Sequence, residues 1–298
     1  MRSRRLLAAF IVVLLLVSPF AAGWAWMTAG AKVIELHQVE HAEFRWRPGE
    51  PVFLLVLGTD GRPGLSGVRA DAIHVIGVNP ATQAATILNI PRDSWVDIPG
   101  HGYGRVNEAY QYGGAQLQAS TVSRMIGGPI HYIAVTDFEG LQRMTDELGG
   151  VPVDVPMAMS DAASGAYFPQ GRIHMNGGQV LAFSRNRHLP DGDLRRSGHQ
   201  GQLIINTLMH LRAKGTSATD TLRYLAVLMR HTDAQGLPPL ELYRLGRLGL
   251  SIDPAKIRNV TLPGRVRMIG ARSVVIVPAE QAVPLFADFV DDGVLQAH

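Results

Sequence analysis

The chain predicts an α/β sandwich with a largely buried sheet, and two features carry the prediction. Short apolar runs rich in branched residues alternate with segments of helical period, the pattern of a sheet covered on both faces. With 298 residues, 46% of them hydrophobic, there is enough apolar surface to bury a sizeable core.

The N-terminal stretch stands apart from that sandwich. Arg2, Arg4 and Arg5 precede LLAAFIVVLLLVSPFAAGWAWMTAGA, and no charge falls between Leu6 and Ala31. As a helix this run can cross a bilayer core of ~30 Å. Its basic end belongs in the cytoplasm, with Trp24 and Trp26 at the outer interface, so everything downstream faces outward. The competing reading is a cleaved signal peptide, with Ala21 and Ala22 near the cut; the apolar region is long for one. The expected layout is a cytoplasmic N-terminus over 1–5, a transmembrane helix over 6–28, a polar juxtamembrane stalk over 29–50 and an extracytoplasmic domain over 51–298.

Within that domain VFLLVLG (Val52 to Gly58), AIHVIGV (Ala72 to Val78) and ATILNI (Ala85 to Ile90) read as buried strands, broken at Asn79-Pro80 and Pro91. PRDSWVDIPGHGYGRVNEAYQYGG follows as a long loop or mixed segment. Ala115 to Ile126 has helical composition, and Ile130 to Thr136 reads as a strand. Phe138, Leu141, Met144 and Leu148 share one helical face that ends at Gly149-Gly150. VPVDVP is a short strand and Asn176 to Phe183 a short helix. Helices are expected over Gln202 to Lys214, Thr219 to Met229 and Pro239 to Leu248, then a hairpin or strand pair, then a last helix around Ala282 to Asp291.

Charge and composition exclude several classes. A net charge of +3 is too mild and dispersed for general nucleic-acid binding, and the absence of cysteine removes disulfides and thiolate metal sites. No P-loop, GxSxG elbow or HExxH helix is present.

The densest chemistry lies in LAFSRNRHLPDGDLRRSGHQ, where Arg185, Arg187, Arg195 and Arg196 surround Asp191 and Asp193. A guanidinium presents a planar fork that matches phosphate oxygens two at a time. Arg185 and Arg187 point the same way if their segment is extended, and Asp193 can hold a neighbouring guanidinium. The segment is a candidate phosphate or diphosphate site, against the plainer reading of a solvated charged loop. Further charges follow or precede the apolar strands: Asp60 and Arg62, Arg69 and Asp71, Arg92 and Asp93. Ligands gather at strand ends in open α/β sheets. Asp60 and Asp71 flank one glycine-rich loop and suit a magnesium ion completed by water and phosphate, or else cap turns and pair with Arg62 and Arg69. His74 and His131 read as strand residues rather than ligands.

Taken together, LGTDGR (Leu57 to Arg62), VRADAI (Val68 to Ile73), NIPRDSWVDIPGHGYGRVNEAY (Asn89 to Tyr110), VTDFEGLQRMTDELGGVPVDVP (Val135 to Pro156) and SRNRHLPDGDLRR (Ser184 to Arg196) resemble the LytR-CpsA-Psr family of bacterial membrane-anchored phosphotransferases. The resemblance spans roughly Pro51 to Leu211, with a weaker continuation to the end. It implies an α-β-α sandwich with a central mixed sheet and an apolar tunnel for a polyprenyl chain. It also implies transfer of a glycopolymer from a polyprenyl diphosphate carrier to a peptidoglycan hydroxyl, with release of polyprenyl phosphate. By position, Asp60 and Asp71 resemble magnesium ligands, and Arg92, Arg185 and Arg187 the diphosphate-binding arginines. Arg62 matches the arginine of the first loop, and Asp193, Arg196 and Gln200 a GDxxRxxxQ pattern. Ala70, Ala72, Gly104, Arg105 and His199 depart from the family's usual residues. Asp93 and Asp193 stand as alternatives for accepting the proton of the attacking hydroxyl, or as residues that orient the arginines. Two other readings use the same site, namely hydrolysis of a lipid diphosphate and non-catalytic binding of an anionic polymer.

Overall fold

Branched and leucine-rich runs make most of the strands that their composition predicts. The computed structural model describes residues 34–39, 46–60, 67–188, 192–235 and 238–296. The apolar segment over 6–28, Arg62 and Asp191 lie outside the described residues. Among the described residues no helix is long and apolar enough to cross a membrane.

The strands of the main sheet are Ile34–Gln38 (β1), Val52–Thr59 (β2), Ala70–Asn79 (β3) and Ala84–Asn89 (β4). A small hairpin, Trp95–Ile98 (β5) with Gly102–Arg105 (β6), precedes the helix Glu108–Ile126 (α1). Then come Tyr132–Thr136 (β7) and Phe138–Glu147 (α2). Val151–Val155 (β8), Met159–Asp161 (β9), Ala166–Phe168 (β10) and Gly171–Met175 (β11) form two small sheets, β8 with β11 and β9 with β10. The helices Gly177–Arg185 (α3), Gly192–Lys214 (α4) and Ala218–His231 (α5) lead to Thr232–Gln235 (β12). Pro239–Ser251 (α6), Ile257–Thr261 (β13), the hairpin Arg265–Ile269 (β14) with Arg272–Ile276 (β15), and Ala279–Asp292 (α7) complete the chain.

The main sheet is mixed, in the order β12-β1-β7-β2-β3-β4-β13. Alternation along its central strands directs side chains to two layers. Phe53, Leu55, Leu57, Ile73 and Val75 meet Val122 and Ile126 of α1 and Phe289 of α7 on one face. Each such side chain contributes about 1.5–3 kcal/mol on full burial. Val52, Leu54, Ile76 and Val78 face α4 and α6 on the other. His131, at the entry to β7, accepts the Phe53 amide at Nδ1 (2.9 Å), which fixes its neutral tautomer; burial lowers its pKa to about 4.

Several elements differ from the composition reading. Residues 34–38, expected in the stalk, form an inner strand between β7 and β12. The mixed segment after Ile90 holds the β5–β6 hairpin, and α1 begins at Glu108, with a kink at Gly113-Gly114. The helix expected from Gln202 starts ten residues earlier, at Gly192. Gly198 and Gly201 resemble helix breakers but serve close packing. A Cβ at Gly201 would sit 2.3 Å from Asn259 Oδ1 and 2.4 Å from Asn89 Oδ1. Finally, β13 joins the main sheet parallel to β4, and the C-terminal hairpin is β14–β15.

Candidate active site

The sheet face under α4 forms a ladder of cross-strand neighbours that changes character along its length. Val52 pairs with Val78, Leu54 with Ile76, Val56 with His74, and Gly58 with Ala72. On the flanks, Tyr132 adjoins Leu54, Ala134 adjoins Val56, and Thr136 adjoins Gly58; Ile87 adjoins Ile76, and Asn89 adjoins His74. Apolar rungs therefore give way to polar ones, and the strands then end at Asp60 and Asp71. The covering helix follows the same gradient. Arg196, Gln200, Ile204 and Leu208 recur every four residues, which places them along one side of α4. Two cavities result. One, of about 360 Å³, is lined by Asp60, Asp71, His74, Arg185, Arg187, Arg196 and Gln200. The other, of about 380 Å³, is walled almost wholly by aliphatic side chains of the sheet, α4, α5 and α6. Ile204 lines both.

At the polar end four guanidiniums and three carboxylates interlock. Arg92 Nη1 donates to Asp71 Oδ1 (2.7 Å), and its Nε lies 3.6 Å from Asp193 and 3.7 Å from Asp93. Arg196 Nη2 lies 2.6 Å from Asp193 and donates to the Asp71 carbonyl (3.2 Å). Arg187 Nε is 3.9 Å from Asp193, and Arg105 Nε is 3.6 Å from Asp93. Burial works against the charge of Arg92, but Asp71, Asp193 and Asp93 outweigh it and raise its pKa above the ordinary value. Arg196 is shifted the other way, by burial first and then by Arg92 and Arg187. Its side chain is only 5% exposed, whereas that of Arg187 is 52% exposed.

Local structure sets these positions. Asn176 caps α3 through a capping box with Gln179, and the helix ends on Arg185, whose guanidinium lies 5.0 Å over the Phe138 ring. Gln200 Nε2 donates to the Ser184 carbonyl (2.9 Å), tying α4 to that last turn. Arg185 is thus helical rather than extended, and both Arg185 and Arg187 still line the polar cavity.

Of the residues expected from sequence, Asp60, Asp71, Arg185, Arg187, Arg196 and Gln200 line one cavity, and Arg92, Asp93 and Asp193 form the ionic network behind it. Arg62 belongs to the segment outside the described residues. The composition reading missed two contributors. His74 is a strand residue, as expected, yet it also lines the polar cavity and meets Asn89 Oδ1 through Nδ1 (2.7 Å). Asn89 in turn donates to Asn259 Oδ1 (2.7 Å), so its own oxygen accepts from His74 Nδ1–H. Burial, chiefly, lowers the His74 pKa to about 4. The second is Asp161, which receives the Ser164 hydroxyl (2.7 Å) and the Ala163 amide (3.0 Å) beside His188 (3.6 Å). The Ser164 bond leads the causes that hold its pKa below the usual carboxylate range. An ionisable residue inside an apolar strand was the available signal for His74; a three-residue Asx turn gave none for Asp161.

The LytR_cpsA_psr family pattern matches residues 27–288. The polyisoprenyl-teichoic acid–peptidoglycan teichoic acid transferase TagU of Bacillus mycoides (strain KBAB4) is 37% identical over 157 residues, 52% of this chain and 51% of that protein. The chain therefore matches about half the length of that relative. Among the solved structures that share the fold are two of this kind. The LytR-Csp2A-Psr enzyme from Actinomyces oris has a TM-score of 0.67 at 23% identity, covering 88% of this chain and 96% of that one. TagV of B. subtilis has a TM-score of 0.67 at 23% identity, covering 83% and 99%.

Proposed function

Because the chain belongs to the LytR_cpsA_psr family, and because its charged cavity abuts an aliphatic one at Ile204, we propose that it transfers a glycopolymer from a polyprenyl diphosphate carrier to a peptidoglycan hydroxyl. The junction of the cavities is the observation that carries this reading. Aliphatic walls suit an isoprenoid tail and cations suit its diphosphate. From Val52 to Gly58 the shared floor runs roughly 20 Å at ~3.3 Å per strand residue, room for several isoprene units.

In this mechanism the acceptor hydroxyl attacks the phosphorus that bears the glycan and gives up its proton to water in the cavity. The bond from that phosphorus to the bridging oxygen breaks, a glycan–phosphate–acceptor diester forms, and polyprenyl monophosphate departs with the bond's electron pair. One more negative charge then resides on the departing phosphate. Arg185 and Arg187, exposed to the cavity, and Arg92 behind them are placed to stabilise it, and fixed cations aimed at developing charge act most strongly in a partly dry site. Asp193 faces Arg92, Arg187 and Arg196, and Asp93 faces Arg92 and Arg105. Both carboxylates are thereby committed to orienting guanidiniums, and we favour that role over proton acceptance. Gln200 and Arg196 hold the wall of the cavity in place.

Asp60 and Asp71 line the same cavity and offer oxygen only; among the described residues no cluster of three or more His, Asp or Glu side chains suited to a metal occurs. That donor set fits magnesium, which retains water and takes phosphate oxygens. Bound there, the ion would offset phosphate charge. The apolar stretch over 6–28 would tether the domain outside the bacterial cell membrane, where both carrier and acceptor lie.

The test is product analysis with purified polyprenyl-diphosphate glycan, peptidoglycan and magnesium. Polyprenyl monophosphate and a glycan–peptidoglycan diester are expected. Free glycan phosphate without the diester would replace transfer by hydrolysis, and salt-sensitive glycan binding without any product would leave a receptor.

A further inference from the structure

The outer face of the β5–β6 hairpin carries a stripe whose aromatic rings the phosphate chemistry does not use. Register places Arg105 opposite Trp95 and Tyr103 opposite Asp97, and alternation puts all four on one side. The other side is inward, with Ile98 fully buried. The stripe starts at the ionic network, because Arg105 is the partner of Asp93 (3.6 Å), itself beside Arg92. It then runs outward over two nearly parallel rings, Trp95 and Tyr103, 6.5 Å apart and inclined by 24°. Tyr103 is 69% exposed. At the turn of the same hairpin His101 stacks on Tyr112 of α1 (4.6 Å, 15°), and Tyr112 is 45% exposed.

An exposed Tyr103 ring set beside the half-buried Trp95 ring, next to a charged network, forms a platform for a flat, weakly polar partner. The charges along the stripe are paired: Arg105 with Asp93, and Asp97 with Arg124 (3.0 Å). A polyanion or single-stranded nucleic acid would need unpaired cations beside the rings. Paired charges leave hydrogen-bonding edges without a net field, which suits the hydroxyl and acetamido groups of a neutral sugar chain, whose C–H faces cover the rings. We propose that the Trp95–Tyr103 stripe is the docking platform for the glycan strand of the acceptor, leading its hydroxyl toward Arg105 and the diphosphate. This rests on the transfer reading above, to which it adds the acceptor side.

The experiment uses the full chain in detergent and soluble glycan oligomers released from peptidoglycan, with calorimetric titration for Kd and, separately, acceptor KM and kcat. Tyr103→Ala should raise both Kd and acceptor KM roughly tenfold, the loss of one ring face, with kcat at saturating acceptor unchanged. Tyr103→Phe, which keeps the ring, should retain the wild-type Kd. Absence of saturable oligomer binding by the wild type, or an unchanged Kd in Tyr103→Ala, overturns the platform. Titration of the lipid diphosphate donor separates the two claims. Donor binding without oligomer binding removes only the platform. Tyr103-dependent oligomer binding without donor binding removes the transfer reading and leaves a carbohydrate site.

Discussion

Arg92 Nη1 lies 2.7 Å from Asp71 Oδ1, so an arginine of the proposed phosphate site grips one of the two carboxylates proposed to hold the metal. The same guanidinium reaches Asp93 and Asp193 through Nε. A lysine at this position keeps the charge but offers a point ammonium instead of a planar fork. Arg92→Lys should therefore leave the fold intact and lower kcat for transfer by about 100-fold. Steady-state kinetics with circular dichroism checks this, and wild-type kcat in the lysine variant would remove Arg92 from the proposed machinery.

Arg187 and Arg196 flank the same Asp193, yet their environments predict opposite consequences for alanine. The Arg187 side chain is half exposed and, among the described residues, its one ion pair is with Asp193 at 3.9 Å, so its removal disturbs little packing. Arg187→Ala should abolish measurable transfer while the unfolding midpoint stays near the wild type. Arg196 is buried, contacts Asp193 at 2.6 Å and donates to the Asp71 carbonyl. Its removal leaves a buried carboxylate short of its nearest cation, at about 3–5 kcal/mol. Arg196→Ala should fall visibly in a denaturant titration before activity is even considered. Equal stability losses in the two variants would refute this division of labour.

How much of this was legible in the sequence depends on whether the signal was local. The strands β2, β3 and β4 announce themselves because apolar, branched residues dominate each, and Asp60, Asp71 and Arg92 stand at or near their ends. The gradient along α4 was hidden. The apolar face is evident only from Gln202 onward, and the charge-rich stretch before it, with Arg196 and Gln200, is equally compatible with a solvated loop, whereas the helix begins at Gly192. Only the approach of that helix to Asn89 and Asn259 explains Gly201, and this contact spans distant parts of the chain. The strand Ile34–Gln38 was missed because its sequence, IELHQ, is half polar and is defined by its neighbours β7 and β12.

The buried His74 makes stability depend on pH in a calculable direction. Its pKa falls to about 4 in the folded protein from 6.5 in the unfolded chain. The folded state therefore binds fewer protons between those values, and the contribution is fully present above pH 6.5 and is lost as pH falls toward 4. The loss is on the order of 3 kcal/mol, with His131 acting in the same direction. Urea unfolding at pH 7.5, 5.5 and 4.5 (values chosen to bracket roughly that window) should show falling midpoints, and His74→Asn should fall less steeply. An identical slope in that variant would show that His74 is not the source.

The aliphatic cavity allows a variant whose effects on stability and function run in opposite directions. Gly249 lies within α6 and lines that cavity, and a Cβ built on it meets nothing within 4 Å. Replacing a helical glycine with leucine gains up to roughly 1 kcal/mol in helix propensity. The leucine side chain would also occupy space in which we place the isoprenoid tail. Gly249→Leu should thus unfold at the same or a higher temperature than the wild type, yet carry less polyprenyl lipid after purification and transfer from long-chain donors poorly. Donors with a shortened prenyl chain should be affected less, because their tails stop before α6. Mass spectrometry of bound lipid, with kinetics on the two donor lengths, measures both effects. Unchanged lipid content together with unchanged long-chain transfer would place the tail somewhere other than between the sheet and α6.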